Sequence, residues 1–363
     1  MKIAIMGIRG IPACYGGFET LAEELAPRLV KRGHEVTVYG RSNIIDYIKE
    51  YYKGVRIRLF PTINHKYLDT VFHSFLCVLD SLFQKYELIF ICNAANSIFA
   101  FLPRLTGKRV VVNVDGIERR RKKWSPPGKL WYLLGEIFSV LFPNEIVADA
   151  GVIQGYYKKR YHKDSVLIPY GASLEKVPST NALEKFGVRP KKYFLYVSRL
   201  EPENNAHIVI KAFEGLRTDK SLVIVGDAPY SKGYISSLRK TSDPRVIFTG
   251  YVFGEGYREF LSHAYGYVHA TEVGGTHPAL IEAMGAGNCV IANDTPENKE
   301  VLQDAGMIYA KNDIADLQKN MQLLEDHPEM IVQWEQKARR RVAQEYNWDS
   351  VVEKYETLFY KLI

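Results

Sequence analysis

Residues 272–287 read EVGGTHPALIEAMGAG, and the chain runs on through NCVIA to Ala292. An apolar run, Gly266–His269, lies just before this stretch, and a second, Cys289–Ala292, lies just after it. The order is strand, glycine turn, helix over Pro278–Met284, strand. Short strands made almost wholly of apolar residues are buried on both faces, which is the pattern of a parallel sheet with helices packed on it. Pro278 suits the first turn of a helix, and Thr276 and His277 are capping candidates before it. Bare glycines there let a ligand approach the main chain, and a helix start offers N–H groups to an anion, most simply a phosphate. Glu282, one turn further on, is placed to accept hydrogen bonds from a pair of sugar hydroxyls. On these residues alone the alternative is an ordinary βα turn with a surface glutamate.

The same alternation extends in both directions. Upstream, strands are expected at Tyr193–Val197, Leu222–Val225 and Val246–Phe248, with a helix near Ala206–Leu216. The N-terminal half repeats the pattern independently. Ile3–Met6 reads as a strand, Gly7–Phe18 as a glycine-rich loop, Glu19–Arg32 as a helix and Glu35–Tyr39 as a strand. Further strands fit at Glu87–Cys92, Val110–Val114, Glu145–Ala148 and Val166–Ile168. The polar stretch 173–190 has no period and reads as a linker. The expectation is an α/β chain of two doubly wound Rossmann-like domains, 1–172 and 191–347, facing one cleft. A last amphipathic helix, 348–363, packs back on the first domain. In such sheets ligands bind outside the carboxyl ends of the strands.

Composition narrows the classes. With 363 residues, 47% hydrophobic and 25% charged, the chain is an ordinary globular protein with room for two cores. The four cysteines are scattered without a CxxC pair, so neither zinc nor a disulfide framework is expected, and a reducing cytoplasm suits them. Charged residues follow Met1 at once, so no signal peptide is expected, and no apolar run reaches a bilayer span. A net charge of +7 permits a polyanionic or membrane-surface partner without demanding one.

Three further stretches carry candidate chemistry. In GIRGIPACYGGFE (7–19), Gly16 and Gly17 at a helix start can bring amides to a diphosphate, and Arg9 is the loop's cation. A tight turn with an exposed arginine is the alternative, and the loop is not GxGxxG. Arg199 in VSRLEPENN (197–205) follows a strand and suits a diphosphate, although a lone arginine is more often solvated or paired. Asp115 ends the run VVNVD at a strand tip, where carboxylates bond ligand hydroxyls or simply form Asp-Gly turns. The basic run Arg119, Arg120, Arg121, Lys122, Lys123, with Trp124, Trp131 and Tyr132 nearby, suits anionic headgroups or, more blandly, solvent. No Asp-x-Asp or histidine spacing suggests a metal.

Taken together, GGTHPALIEAMGAGNCVIA, IPYGA (168–172), VGDAPY (225–230), FTGYV (248–252) and the YGGFE loop resemble a GT-B glycosyltransferase of family 4 over essentially the whole length. RGIPACYGGFET and RLEPENN are similar to a bacterial branch that includes rhamnosyltransferases of surface polysaccharide assembly. The resemblance implies a retaining transferase that takes a nucleoside diphosphate sugar as co-substrate and needs no cofactor or metal. Its acceptor would be a glycan or lipid-linked glycan at the cytoplasmic face of the membrane, with no nucleic acid involved. It further implies catalytic roles for Asp115, Arg199 and Glu282. Arg9, Gly16, Gly17, Asn204 and Gly226 would line the donor, Tyr251 and Val252 the base, and Gly274, Gly275, Thr276 and His277 the sugar and phosphates. Three positions depart from the family's pattern. Asn204 stands where lysine is usual, Asp115 where histidine is usual, and Gly274 where the first acid of a Glu-x7-Glu pair belongs. An epimerase on the same fold and a nucleic-acid-binding protein are the rival readings.

Overall fold

The structure is a computed structural model that describes residues 1–65, 68–121 and 124–363. The chain divides into one unit of Met1–Tyr170 plus Trp348–Ile363 and a second of Gly171–Asn347.

In the first unit the strands are Lys2–Met6 (β1), Glu35–Arg41 (β2), Tyr51–Tyr52 (β3), Val55–Phe60 (β4), Leu88–Cys92 (β5), Arg109–Asn113 (β6), Glu145–Ala148 (β7) and Val166–Leu167 (β8). They form one sheet in the order β3-β4-β2-β1-β5-β6-β7-β8, parallel except for the β3–β4 pair. Ile3, Ile5, Ile89, Phe90 and Val110–Val112 are essentially inaccessible, because helices cover both faces. β4 reads VRIRLF and alternates apolar with basic residues, as a strand near a sheet edge does. The terminal helix Trp348–Leu362 belongs to this unit. Its Tyr355 and Phe359 rings lie 5.2 and 6.0 Å from Phe90. Its Glu356 takes Arg32 and His34 at 2.7 Å each.

The second unit holds Tyr193–Val197 (β9), Ser221–Val225 (β10), Val246–Gly250 (β11), Gly266–His269 (β12), Val290–Asn293 (β13) and Met307–Tyr309 (β14). They make a parallel sheet of order β11-β10-β9-β12-β13-β14. Phe194, Phe213, Val209, Leu222, Ile224, Val268 and Leu317 fill the space between strands and helices. One expectation needs correction. The stretch 173–190 is part of this unit, contains the helix Asn181–Lys185, and is tied down where Ala182 N–H and the Ser179 hydroxyl donate to Glu259. Its polarity hid that role, since the anchoring partner lies far along the chain.

Candidate active site

Arg199 follows β9, Gly226 follows β10, Tyr251 follows β11, and Gly274–His277 follow β12. Those four strands are neighbours in one parallel sheet, so these residues leave a single carboxyl edge. The peptide of Arg199 is pinned. Ser198 N–H donates to Val225, Leu200 N–H donates to Asp227, and the Arg199 carbonyl accepts Glu201 N–H and Asn204 Nδ2, both at 2.7 Å. Gly226 has φ +137°, and a Cβ there would meet the Ser198 carbonyl at 1.9 Å, so glycine is required where β9 and β10 part. Its own N–H donates to the Gly250 carbonyl at 2.9 Å, which ties the end of β10 to the end of β11.

Asn204 answers to a different role from the one its spacing suggested. It is buried, its Nδ2 closes on the Arg199 carbonyl, and its main-chain carbonyl accepts the Tyr196 hydroxyl at 2.6 Å. Through these two contacts it supports the Arg199 loop.

The helix Pro278–Gly285 begins as expected, with His277 at the N-cap and Pro278 in the first turn. No side chain caps it. Pro278 has no N–H, and the N–H groups of Leu280 and Ile281 both bond the His277 carbonyl, so the donor array is narrower than in an ordinary first turn. His277 instead commits its ring to packing. It lies 4.8 Å from the His269 ring and has Nδ1 3.3 Å from Asn298 Oδ1. His269 is buried, and burial together with His277 pushes its pKa well below 6.5, which keeps it neutral. A Cβ at Gly274 would stand 2.3 Å from His277 Nε2. The glycine at 274 therefore makes room for an imidazole. Glu282 receives the Tyr257 hydroxyl at 2.6 Å.

Glu272, two residues short of the usual acid position, belongs to an amide network. Its Oε2 accepts Asn312 Nδ2 at 2.5 Å and Asn205 Nδ2 at 3.4 Å. Asn293 and Asn205 both donate to Asn312 Oδ1, joining the ends of β12, β13 and β14. Sequence reasoning did not single out Tyr257, His269, Asn298 or this network. A glutamate or histidine at a strand end, with asparagines at two later strand ends, was the signal present.

In the first unit Gly16 caps the helix Gly17–Lys31, after β1. Glu19 and Glu23 of that helix accept the N–H groups of Arg9 and Ala13 at 2.8 Å each, which fastens the loop. The Arg9 guanidinium lies 3.4 Å over the Tyr15 ring. Asp115 leaves the β6 tip with φ +54° and donates its N–H to Asn113 Oδ1, while Asn113 Nδ2 donates to Tyr355 of the terminal helix. The basic run is less available than its composition suggested. Arg119 pairs with buried Glu136 at 2.9 Å, and Arg121 pairs with Glu118 at 2.5 Å. Tyr156 and Tyr161 hydroxyls also donate to Glu136. Lys122 and Lys123 lie outside the described residues.

Comparisons with known proteins match both units of the chain. The model of Glycosyltransferase Family 4 matches residues 15–176, and that of Glycosyl transferases group 1 matches residues 180–341. A lipopolysaccharide 1,2-N-acetylglucosaminetransferase of Salmonella typhimurium is 22% identical over 79% of this chain and 82% of its own. An O-antigen chain mannosyltransferase B of Escherichia coli is 24% identical over 46% and 45%. Among solved structures, a sucrose-phosphate synthase of Thermosynechococcus elongatus superposes with a TM-score of 0.83 at 18% identity, over 99% and 98% of the two chains. Anabaena HepE in complex with UDP and glucose gives 0.81 at 16%, over the full length of both. The two family models meet near the boundary between the units and span both. The chain belongs to the GT-B glycosyltransferases of family 4.

Proposed function

We propose that the chain transfers a sugar from a nucleoside diphosphate sugar to a glycan or lipid-linked glycan in cell-surface polysaccharide synthesis, with retention and without a divalent metal. The observation that carries the reading is the shared carboxyl edge of β9–β12, which gathers Arg199, the Gly274–His277 turn and, one turn along its helix, Glu282. Arg199 and the helix start would meet the diphosphate, Glu282 the ribose, and Tyr251 with Val252 the base. Relatives named for lipopolysaccharide and O-antigen sugars support the pathway class, and a neighbour holding UDP and glucose supports the donor class. Rhamnose is one candidate sugar, since RGIPACYGGFET resembles a branch that includes rhamnosyltransferases.

Retention follows if the acceptor oxygen bonds the anomeric carbon on the face that the diphosphate leaves. The leaving phosphate oxygen then takes the acceptor proton, so no carboxylate nucleophile is needed and the protein supplies positioning and charge stabilisation. A nucleotide-sugar panel with a lipid-linked glycan acceptor tests this. Turnover should release one nucleoside diphosphate per glycan extended, keep the anomeric configuration, and persist in EDTA. Release of free nucleotide without extended glycan, or a product epimer of the sugar nucleotide, would overturn it.

Membrane contact is better supported by apolar side chains than by the basic run. No helix among the described residues is long and apolar enough to cross a membrane. Yet Leu68, Phe72 and Phe75 are exposed on the helix Leu68–Leu82, as are Phe101 and Leu105 beyond it and Leu130 and Leu141 on the helix Pro126–Leu141. The Phe75–Phe99 and Phe101–Phe142 ring contacts, at 5.6 and 5.4 Å, link these helices. Large exposed apolar residues grouped in this way mark an interaction surface.

A further inference from the structure

Tyr257 sits on the helix Gly254–His263, directly after the strand-tip segment Tyr251–Phe253. It is half-buried, and its hydroxyl donates to Glu282 Oε2 at 2.6 Å. Burial first, and then Glu282, raise its pKa well above 10, so it is a phenol and a donor throughout the working range. We propose that Tyr257 is a positioning residue that orients the Glu282 carboxylate for the ribose hydroxyls and couples that carboxylate to the segment bordering the base. The proposal rests on the reading of Glu282 as the ribose ligand.

Two features carry it. A carboxylate turns easily about its last torsion and offers about four acceptor sites, so a single strong donor on a rigid ring selects which of them face a ligand. The donor's own helix is held against the base-bordering segment, for a Cβ at Gly256 would already lie 3.2 Å from Val252 Cγ1. Glu282 belongs to the helix that begins at the glycine turn. One hydrogen bond thus joins the helix after β11 to the helix after β12, and the positions assigned to base, ribose and phosphates become one mechanical set.

The test compares binding of UDP, GDP or dTDP, whichever binds the wild-type chain tightest, with that of its 3′-deoxy analogue. Tyr257→Phe keeps the ring and removes the donor. It should weaken the intact nucleotide about three- to tenfold and leave the 3′-deoxy analogue unchanged. Glu282→Gln should erase most of the discrimination between the two, and the double variant should bind no more weakly than Glu282→Gln alone. Equal loss on both nucleotides in Tyr257→Phe, or additive loss in the double variant, means a general packing role and overturns the proposal. Undiminished discrimination in Tyr257→Phe beside lost discrimination in Glu282→Gln overturns it while sparing the ribose reading. Full discrimination retained in Glu282→Gln removes the ribose reading and the proposal together.

Discussion

Gly274→Ala should be costly for a reason that lies in one neighbouring ring. The new Cβ would stand 2.3 Å from His277 Nε2, with Cδ2 and Cε1 at 3.0 and 3.2 Å. The imidazole has little room to retreat, because His269 packs on it at 4.8 Å and Asn298 holds its Nδ1 at 3.3 Å. Forcing it off its rotamer costs about 0.5–1.5 kcal/mol, and losing the Asn298 hydrogen bond costs about 0.5–1.5 kcal/mol. In a unit of this size 1 kcal/mol corresponds to roughly 2–4 °C, so the melting temperature should fall by about 2–12 °C. Differential scanning fluorimetry reads that directly. Donor binding should fall with it, because the displaced ring enters the turn assigned to sugar and phosphate. The decisive comparison is the double variant Gly274→Ala, His277→Ala, in which the clash is gone. Relative to His277→Ala alone, adding the alanine at 274 should cost nothing measurable in stability. If Gly274→Ala melts like wild type, or if its penalty persists without the His277 ring, the coupling between these positions is not what selects glycine.

Arg199→Ala should weaken nucleoside diphosphate binding at least tenfold to hundredfold in calorimetry, at about 1.5–3 kcal/mol for a charged hydrogen bond, since Asn204 is buried and cannot replace it. Arg119→Gln should destabilise the first unit and leave liposome binding unchanged, because it strips the ion-pair partner from buried Glu136; breaking such a pair costs up to about 3–5 kcal/mol, here reduced by the two tyrosine donors. Glu356 should give the terminal helix an acid-sensitive anchor. Burial works to raise its carboxyl, but His34 and Arg32 outweigh this and hold it below the usual carboxylate range. A depressed acid contributes stability above its unfolded value and loses it as pH falls through the folded one, so Glu356→Gln should lower the melting temperature at neutral pH and flatten its decline in acid.

What the sequence disclosed and what it withheld differ by the range of the interaction involved. Gly266–His269 and Glu145–Ala148 match the expected strands residue for residue, because a fully apolar run between turn residues is a local statement. β3, at two residues, and β4, with Arg56 and Arg58 interleaved, carry no such statement. At the site, the loop positions were legible through their glycines, whereas side-chain direction was not. Asn204 is five residues from Arg199 along the chain, yet its amide closes on the Arg199 carbonyl and supports the loop. The Tyr257–Glu282 bond joins residues 25 apart on separate helices, and nothing in either local pattern anticipates it.

The basic run shows what a better reading would have used. Its arginines looked solvated because composition alone shows five like charges in a row. But the next helix, PPGKLWYLLGEIFSVL, carries Glu136 in the middle of an otherwise apolar stretch, and a carboxylate that the hydrophobic pattern places inside must find a partner. Lys129 of the same helix is nearer in sequence, but the ion pair in the structure is made by Arg119 of the run. Arg119 fills that need, and the tyrosines at 156 and 161 complete the shell. An acid in an apolar helix beside a basic run is thus a statement about packing.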